Sequence, residues 1–162
     1  MATYFTQFAC VLDVGSADNV ARAIILHREM ELAYAAFKQS EMGFDLEPSG
    51  ATSICMHDGD GFGDQEHAIQ FVLRCAAEFD LKGRWGFTWA LTCSRPRVDG
   101  FGGGPQLLDL TQRKSLDRID CDHWLAGELA DDDPSGGSAP ASTTADPSGP
   151  PMAGRSVSGN EL

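Results

Sequence analysis

RWGFTWALTC, residues Arg84 to Cys93, decides the fold. Trp85, Phe87, Trp89 and Leu91 alternate with Arg84, Gly86, Thr88, Ala90 and Thr92. Side chains of a strand leave on opposite faces with a period of two, so this run is a strand with one large apolar face and one small, polar face. A sheet that reads RNA also displays aromatics, but such readers are basic. This chain has a formal net charge of -12, and its aromatic row is therefore predicted as core, packed under helices.

Upstream, Tyr4 to Val14 alternates in the same way, with Tyr4, Thr6, Phe8, Cys10, Leu12 and Val14 on one face. Gly15-Ser16 ends that strand, and Ser16 is placed to cap a helix from about Ala17 to Lys38 with Asp18 in its first turn. Val20, Ala23, Ile24, His27, Met30, Tyr34 and Phe37 form its predicted core stripe. Phe44–Glu47 and Thr52–His57 read as a hairpin around Pro48-Ser49-Gly50. Asp64 should cap a second helix from Gln65 to about Phe79, with Ile69, Val72, Leu73, Ala76 and Phe79 inward. Downstream of the deciding strand, Gln106–Leu110 and Leu116–Ile119 read as two more strands. Asp120–Leu129 follows as a short helix burying Trp124, Leu125 and Leu129. The order βαββαβ predicts an α+β fold, a two-layer ferredoxin-like sandwich extended by a C-terminal hairpin and short helix.

Composition sets the outer bounds. Residues 1–130 hold 19 acidic and 11 basic groups, a net of -8, and suffice for a single α+β domain. Residues 131–162 are dominated by Pro, Gly, Ser, Ala and Thr, with almost nothing large and apolar to offset the entropy of ordering; they are expected as a disordered acidic tail. Acidity of this kind repels phosphate backbones and argues against direct nucleic-acid binding, while it attracts a basic partner. Five widely spaced cysteines without a CxxC pair argue against both a disulfide framework and a zinc site. MATYFTQFACVLDVG alternates and lacks a basic leader region, and no run reaches the length of a membrane span, so a cytoplasmic location without membrane contact is expected.

Two stretches carry candidate chemistry. DGDGFGDQE, residues 58–66, invites a calcium reading through Asp58, Asp60, Asp64 and Glu66, but Phe62 and Ile69 stand where oxygen ligands are needed. A strand-to-helix turn explains the same letters, so no metal is expected. His27 falls on the apolar stripe, His57 and His67 bracket the acidic turn, and His123 lies near the domain end; no HExxH or GxSxG occurs. Cys93 has no local activator except the neighbouring arginines.

CSRPRVDGFGGG, residues 93–104, is the stronger candidate. Arg95 and Arg97 can hold a carboxylate or phosphate through their forked donors. Phosphate-cradling glycines precede a helix, however, and Gly102, Gly103 and Gly104 precede a strand, so a nucleotide loop is excluded. A second reading pairs an arginine with Asp99 or with the 58–64 turn and gives the glycines to a bulge or chain reversal. Arg95, Arg97, Asp99 and Phe101 are thus the residues of an anion-binding or partner-binding loop.

The span from about Ala68 to Leu110, above all GRWGFTWALTCSRPRVDGFGGG, resembles a family of small acidic proteins carried by phages, plasmids and related mobile elements of alphaproteobacteria. The resemblance transfers a genomic habit and no catalytic residue. It implies a non-enzymatic, protein-binding accessory of a mobile element, in its sharpest form an acidic inhibitor of a nucleic-acid-binding host defence complex of the anti-CRISPR or anti-defence type. Asp58, Asp60, Asp64 and Glu66 would then enter a basic channel, with Arg95, Arg97 and Phe101 as further contacts. Alternatives are a small-anion-binding domain or enzyme built on Arg95, Arg97 and the glycines, and a structural or regulatory accessory with a genetically linked partner. No cofactor is implied, and the sequence leaves the oligomeric state open.

Overall fold

The alternation of Arg84–Cys93 is realised as β4 of a computed structural model that describes residues 1–38 and 42–131. Before it come β1 (Tyr4–Asp13), α1 (Ala17–Lys38), β2 (Asp45–Pro48), β3 (Ser53–His57) and α2 (Gln65–Glu78). After it come β5 (Gly102–Asp109), β6 (Lys114–Arg118) and α3 (Cys121–Asp131). The six strands form one antiparallel sheet in the order β2-β3-β1-β4-β5-β6, a mixed α+β architecture with three helices. The expected tail, residues 131–162, lies outside the described residues apart from Asp131, which ends α3.

One face of the sheet is the core. Phe8 and Leu12 of β1, Ile54 and Met56 of β3, Phe87 and Trp89 of β4 and Leu108 of β5 are buried there in one cluster with the inner sides of α1 and α2. The predicted aromatic row is core: Phe8 and Phe87 ring centroids lie 5.6 Å apart. Arg118 stacks on Trp89, 4.7 Å from its centroid. Burying a side chain such as Phe71 or Leu12 stabilises by roughly 1.5–3 kcal/mol, and the cluster has many. On the opposite face Gln7, Ala9, Val11, Thr88 and Ala90 are exposed, and among the described residues no helix packs over them.

Local chemistry sets the helix ends. Ser16 Oγ accepts from Asn19 N at 3.1 Å and Asp64 Oδ1 from His67 N at 3.0 Å, each satisfying a first-turn N–H that has no partner within its helix. His27 is packed as expected, its ring 4.9 Å from Phe44 and 5.7 Å from Phe71, with Nε2 3.3 Å from the Phe44 carbonyl oxygen. On the wet side Arg22 bridges Glu29 and Glu78 at 3.0 and 2.9 Å, tying α1 to α2.

Three expectations are corrected. The core stripe of α1 uses Leu26; Ile24 is exposed and Phe37 is 88 % exposed, because the helix turns its Val20, Ala23, Leu26 and Met30 edge to the sheet. Trp124, Leu125 and Leu129 do not pack inward: α3 lies against β5 and leaves all three exposed. The glycines are not a loop before β5 but its first residues, so the strand starts at Gly102 and not at Gln106. Leu91↔Gly102, Ala90↔Gly103 and Trp89↔Gly104 are in register, and β6 pairs with β5 in turn. The sheet therefore carries two strands beyond those of a four-stranded sandwich.

Crowding explains why glycine is required there. Gly103 has φ +105°, and a Cβ on it would overlap the Trp89 carbonyl; a Cβ on Gly104 would overlap the Ile119 carbonyl oxygen. A Cβ on Gly127 of α3, by contrast, meets nothing. Gly104→Ala should cost about 2 kcal/mol or more in urea unfolding, whereas Gly127→Ala should add roughly 0.5–1 kcal/mol by favouring the helix. Equal effects of the two substitutions would contradict this packing.

Candidate functional site

The β4–β5 loop is held in shape by its own charges. Arg97 donates from Nε to Asp99 Oδ1 at 2.8 Å and from a terminal nitrogen to Oδ2 at 3.1 Å, a two-pronged fork within three residues. The β1–β4 register sets Tyr4 opposite Cys93, and this brings the Tyr4 hydroxyl to donate to Asp99 Oδ2 at 3.1 Å. Ser94 adds a pair of bonds to Thr3: Ser94 N donates to the Thr3 carbonyl at 2.8 Å, and Thr3 N to Ser94 Oγ at 3.0 Å. Of the two expected arginine partners the structure uses Asp99 and not the 58–64 turn.

Electrostatics follow the geometry. The Arg97 guanidinium, then the Tyr4 hydroxyl, hold the Asp99 carboxyl down at about 2. The same bonds raise Arg97 and Tyr4. All three groups are exposed, so the fork orders the loop more than it stabilises the domain. What remains for a ligand is Arg95, which has no hydrogen bond or ion pair among the described residues, together with Val98 at 105 % and Phe101 at 59 % exposure. Gly103 and Gly104 are buried within the sheet, and Gly102 is half-buried beside Asp122. The predicted cluster therefore divides: Arg97 and Asp99 satisfy each other, the glycines serve the strand, and Arg95 and Phe101 face solvent.

The acidic turn divides in the same manner. Asp58 Oδ1 accepts from Phe8 N at 2.7 Å while Asp58 N donates back to the Phe8 carbonyl at 3.1 Å. Asp64 caps α2, and its second oxygen lies 3.3 Å from His67 Nδ1. Asp60 and Glu66 are exposed and carry no such duty. Asp60 joins Glu31 and Asp45 around a polar crevice of about 260 Å³, bordered by Phe44 and Phe62. Among the described residues no three His, Cys, Asp or Glu side chains are arranged to hold a metal ion. His57 and His67 take different partners, Glu47 at 3.8 Å and Asp64.

Sequence reading missed four contributors. Tyr4 falls on the Phe8 face of the β1 alternation, and only the register shows its hydroxyl reaching Asp99. Val98 carries no pattern at all, and its exposure follows from the turn made by Arg97 and Gly100, whose N–H bonds the Arg97 carbonyl at 3.1 Å. Glu31 and Asp45 lie on separate elements that meet the acidic turn only in space. Burial pushes the Cys10 and Cys75 thiols up to about 12, whereas Cys121 is exposed. No family model, curated protein or solved structure matches the chain.

Two outcomes are expected. A folded-state carboxyl held low contributes order that is complete above its unfolded value and is lost as pH falls through about 2. The carboxyl carbon of Asp99 in an NMR titration should thus move at about 2, and Arg97→Ala should return it toward the ordinary range near 3.9. A midpoint that ignores Arg97→Ala would remove the fork from solution. Treated with a disulfide reagent at neutral pH, Cys121 should react first and Cys10 and Cys75 only as the domain unfolds, because the thiolate is the nucleophile.

Proposed function

We propose that this protein is a non-catalytic binding module whose β4–β5 loop contacts another protein. The observation that carries the reading is the division of the loop. Arg97, which a two-armed anion clamp would need, is already occupied by Asp99, while Arg95, Val98 and Phe101 reach solvent from a braced backbone. An arginine and an aromatic beside an apolar tip, presented at little ordering cost, are the residues that concentrate energy at protein interfaces. Charge supports a basic partner. The net of -8 over residues 1–130, with Asp60, Glu31 and Asp45 gathered at one crevice next to Phe62, suits a lysine or arginine side chain of a surface that otherwise binds phosphates. In the sharpest form of this reading the partner is a nucleic-acid-binding defence complex, inhibited in the cytoplasm by an accessory of a mobile element.

We also infer that β1-α1-β2-β3-α2-β4 is a ferredoxin-like unit to which β5, β6 and α3 are added. The antiparallel order β2-β3-β1-β4 supports this, as does the single core shared by both helices. The added strands give the unit its contact loop, because β4 must connect to β5 outside the sheet.

The test uses the full chain as bait for a host-cell lysate at two salt concentrations, beside Arg95→Ala/Phe101→Ala and Asp60→Asn/Glu66→Gln. Expected is a salt-sensitive catch of a nucleic-acid-binding complex, displaced by DNA or RNA and weakened about tenfold or more by each double substitution. A catch indifferent to the loop substitutions would overturn the surface assigned. Binding of inorganic phosphate that is lost with Arg95→Ala would favour the small-anion reading instead.

A further inference from the structure

The sheet contains an interval that its own strands do not close. Strand β1 pairs with β4 from Tyr4↔Cys93 to Phe8↔Trp89, and there that ladder stops. Beyond it, Ala9 to Asp13 pair only with β3, and the first half of β4 pairs only with β5. Main-chain direction then follows from parity. Even residues of β1 turn toward β3 and the acidic turn, as the bonds of Thr6, Phe8 and Val14 show. Odd residues, Ala9 and Val11, therefore turn their N–H and C=O toward β4. On β4 the Gly83 carbonyl bonds Leu110 N, so odd positions face β5 and the even residues Gly86 and Thr88 face β1. Past the last β1–β4 pair, Phe8↔Trp89, Val11 and Gly86 turn toward one another with no partner in the strand register, and the Val11 carbonyl oxygen accepts from the Trp85 indole Nε1 at 2.9 Å.

This interval opens into a trough of about 640 Å³ on the helix-free face of the sheet. Its floor is Ala9, Gly86 and Thr88; Val11, Leu107 and Ile119 are its apolar walls, and Asp117 stands at the β6 end. No Lys, Arg or His lines it. Both Val11 and Ile119 are about half exposed, at 51 % and 47 %, so apolar surface is left in water beside the end of the β1–β4 ladder. The volume falls within the range of sites that enclose drug-sized molecules. A second copy docked on this face would set two troughs against each other and leave them unfilled, which dispersion disfavours.

We propose that the trough binds an amine-bearing apolar small molecule. The apolar body lies between Val11, Leu107 and Ile119, its hydrogen-bonding atoms meet the main chain of Val11, Gly86 and Thr88, and the amine meets the Asp117 carboxylate. Charge settles the sign: the one charged side chain lining the trough, among the described residues, is the Asp117 carboxylate in a chain of net charge -12, so an anion is rejected. The site is separate from the β4–β5 loop and does not depend on it.

Naphthylmethylamine and naphthaleneacetate share a ring system and differ in charge, which makes them suitable probes. Titrated into the full chain and followed by amide NMR, the amine should shift Val11, Gly86 and Thr88 and bind about tenfold or more tightly than the acid. Thr88→Trp should fill the trough and abolish the shifts in a chain whose fold is unchanged by circular dichroism. Asp117→Asn should keep binding but lose the preference for the amine, and its side-chain oxygen can still accept from Arg118 N as Asp117 does now at 2.8 Å. Preference for the acid, shifts centred on Arg95, or indifference to Thr88→Trp would overturn the assignment. So would sedimentation as a dimer with no shift at the trough, which would give this face to a second copy.

Discussion

Strand β1 lies inside the sheet, and its main chain has to find partners over ten residues that no single neighbour spans. It does so with different partners at its two ends. Its first half has β4 on one side and, on the other, the acidic turn, through Thr6 N to the Gly61 carbonyl and Gly63 N to the Thr6 carbonyl, both 2.8 Å. Its second half has β3, with Val14 N closing on the Thr52 carbonyl at 2.8 Å. An unpaired buried main-chain group costs about 1–3 kcal/mol, and several in a row would be prohibitive in a marginally stable domain. Most of the remaining structure is the means by which this one strand is served.

The acidic turn is the clearest consequence. After His57 the chain leaves the sheet, and the Asp58 carboxylate replaces the carbonyl that a continuing strand would have offered to Phe8 N. Asp64 then serves α2, and the turn returns Phe62 against Phe5 at 5.7 Å between ring centroids. Carboxylates that look alike in a run of Asp and Gly therefore differ in availability. Two are committed to main-chain N–H groups, and Asp60 and Glu66 retain their charge for something else. The arginine loop follows the same economy, with Arg97 and Asp99 engaged and Arg95 left over.

Much of the fold was legible in the chain. The limits of β4 coincide with its alternation, and those of β1 and α2 nearly do, because long runs with a strong apolar period admit one solution. The caps at Ser16 and Asp64 were legible because an oxygen three residues before a bare N–H is a local device. What escaped reading was long-range. The face of α1 is chosen by the sheet beneath it, and Leu26 won over Ile24 although both are apolar. Composition predicts that α3 buries Trp124, yet α3 lies against β5 and leaves that side chain exposed. The glycine run read as a loop because glycine weakens strands, and that preference is overridden where neighbouring main chain leaves no room for a Cβ.

By itself, then, the sequence determined the elements, their order, the acidity, and the aromatic face that had to be buried, since these depend on period, caps and composition within a few residues. Tertiary structure alone decided that Tyr4 reaches Asp99, that Arg97 and not Arg95 pairs with it, and that Glu31 and Asp45 join Asp60. It also decided that β1 and β4 part at Phe8 and Trp89. Each of these joins residues far apart in the chain, and only the register of the strands, set by one shared core, brings them together.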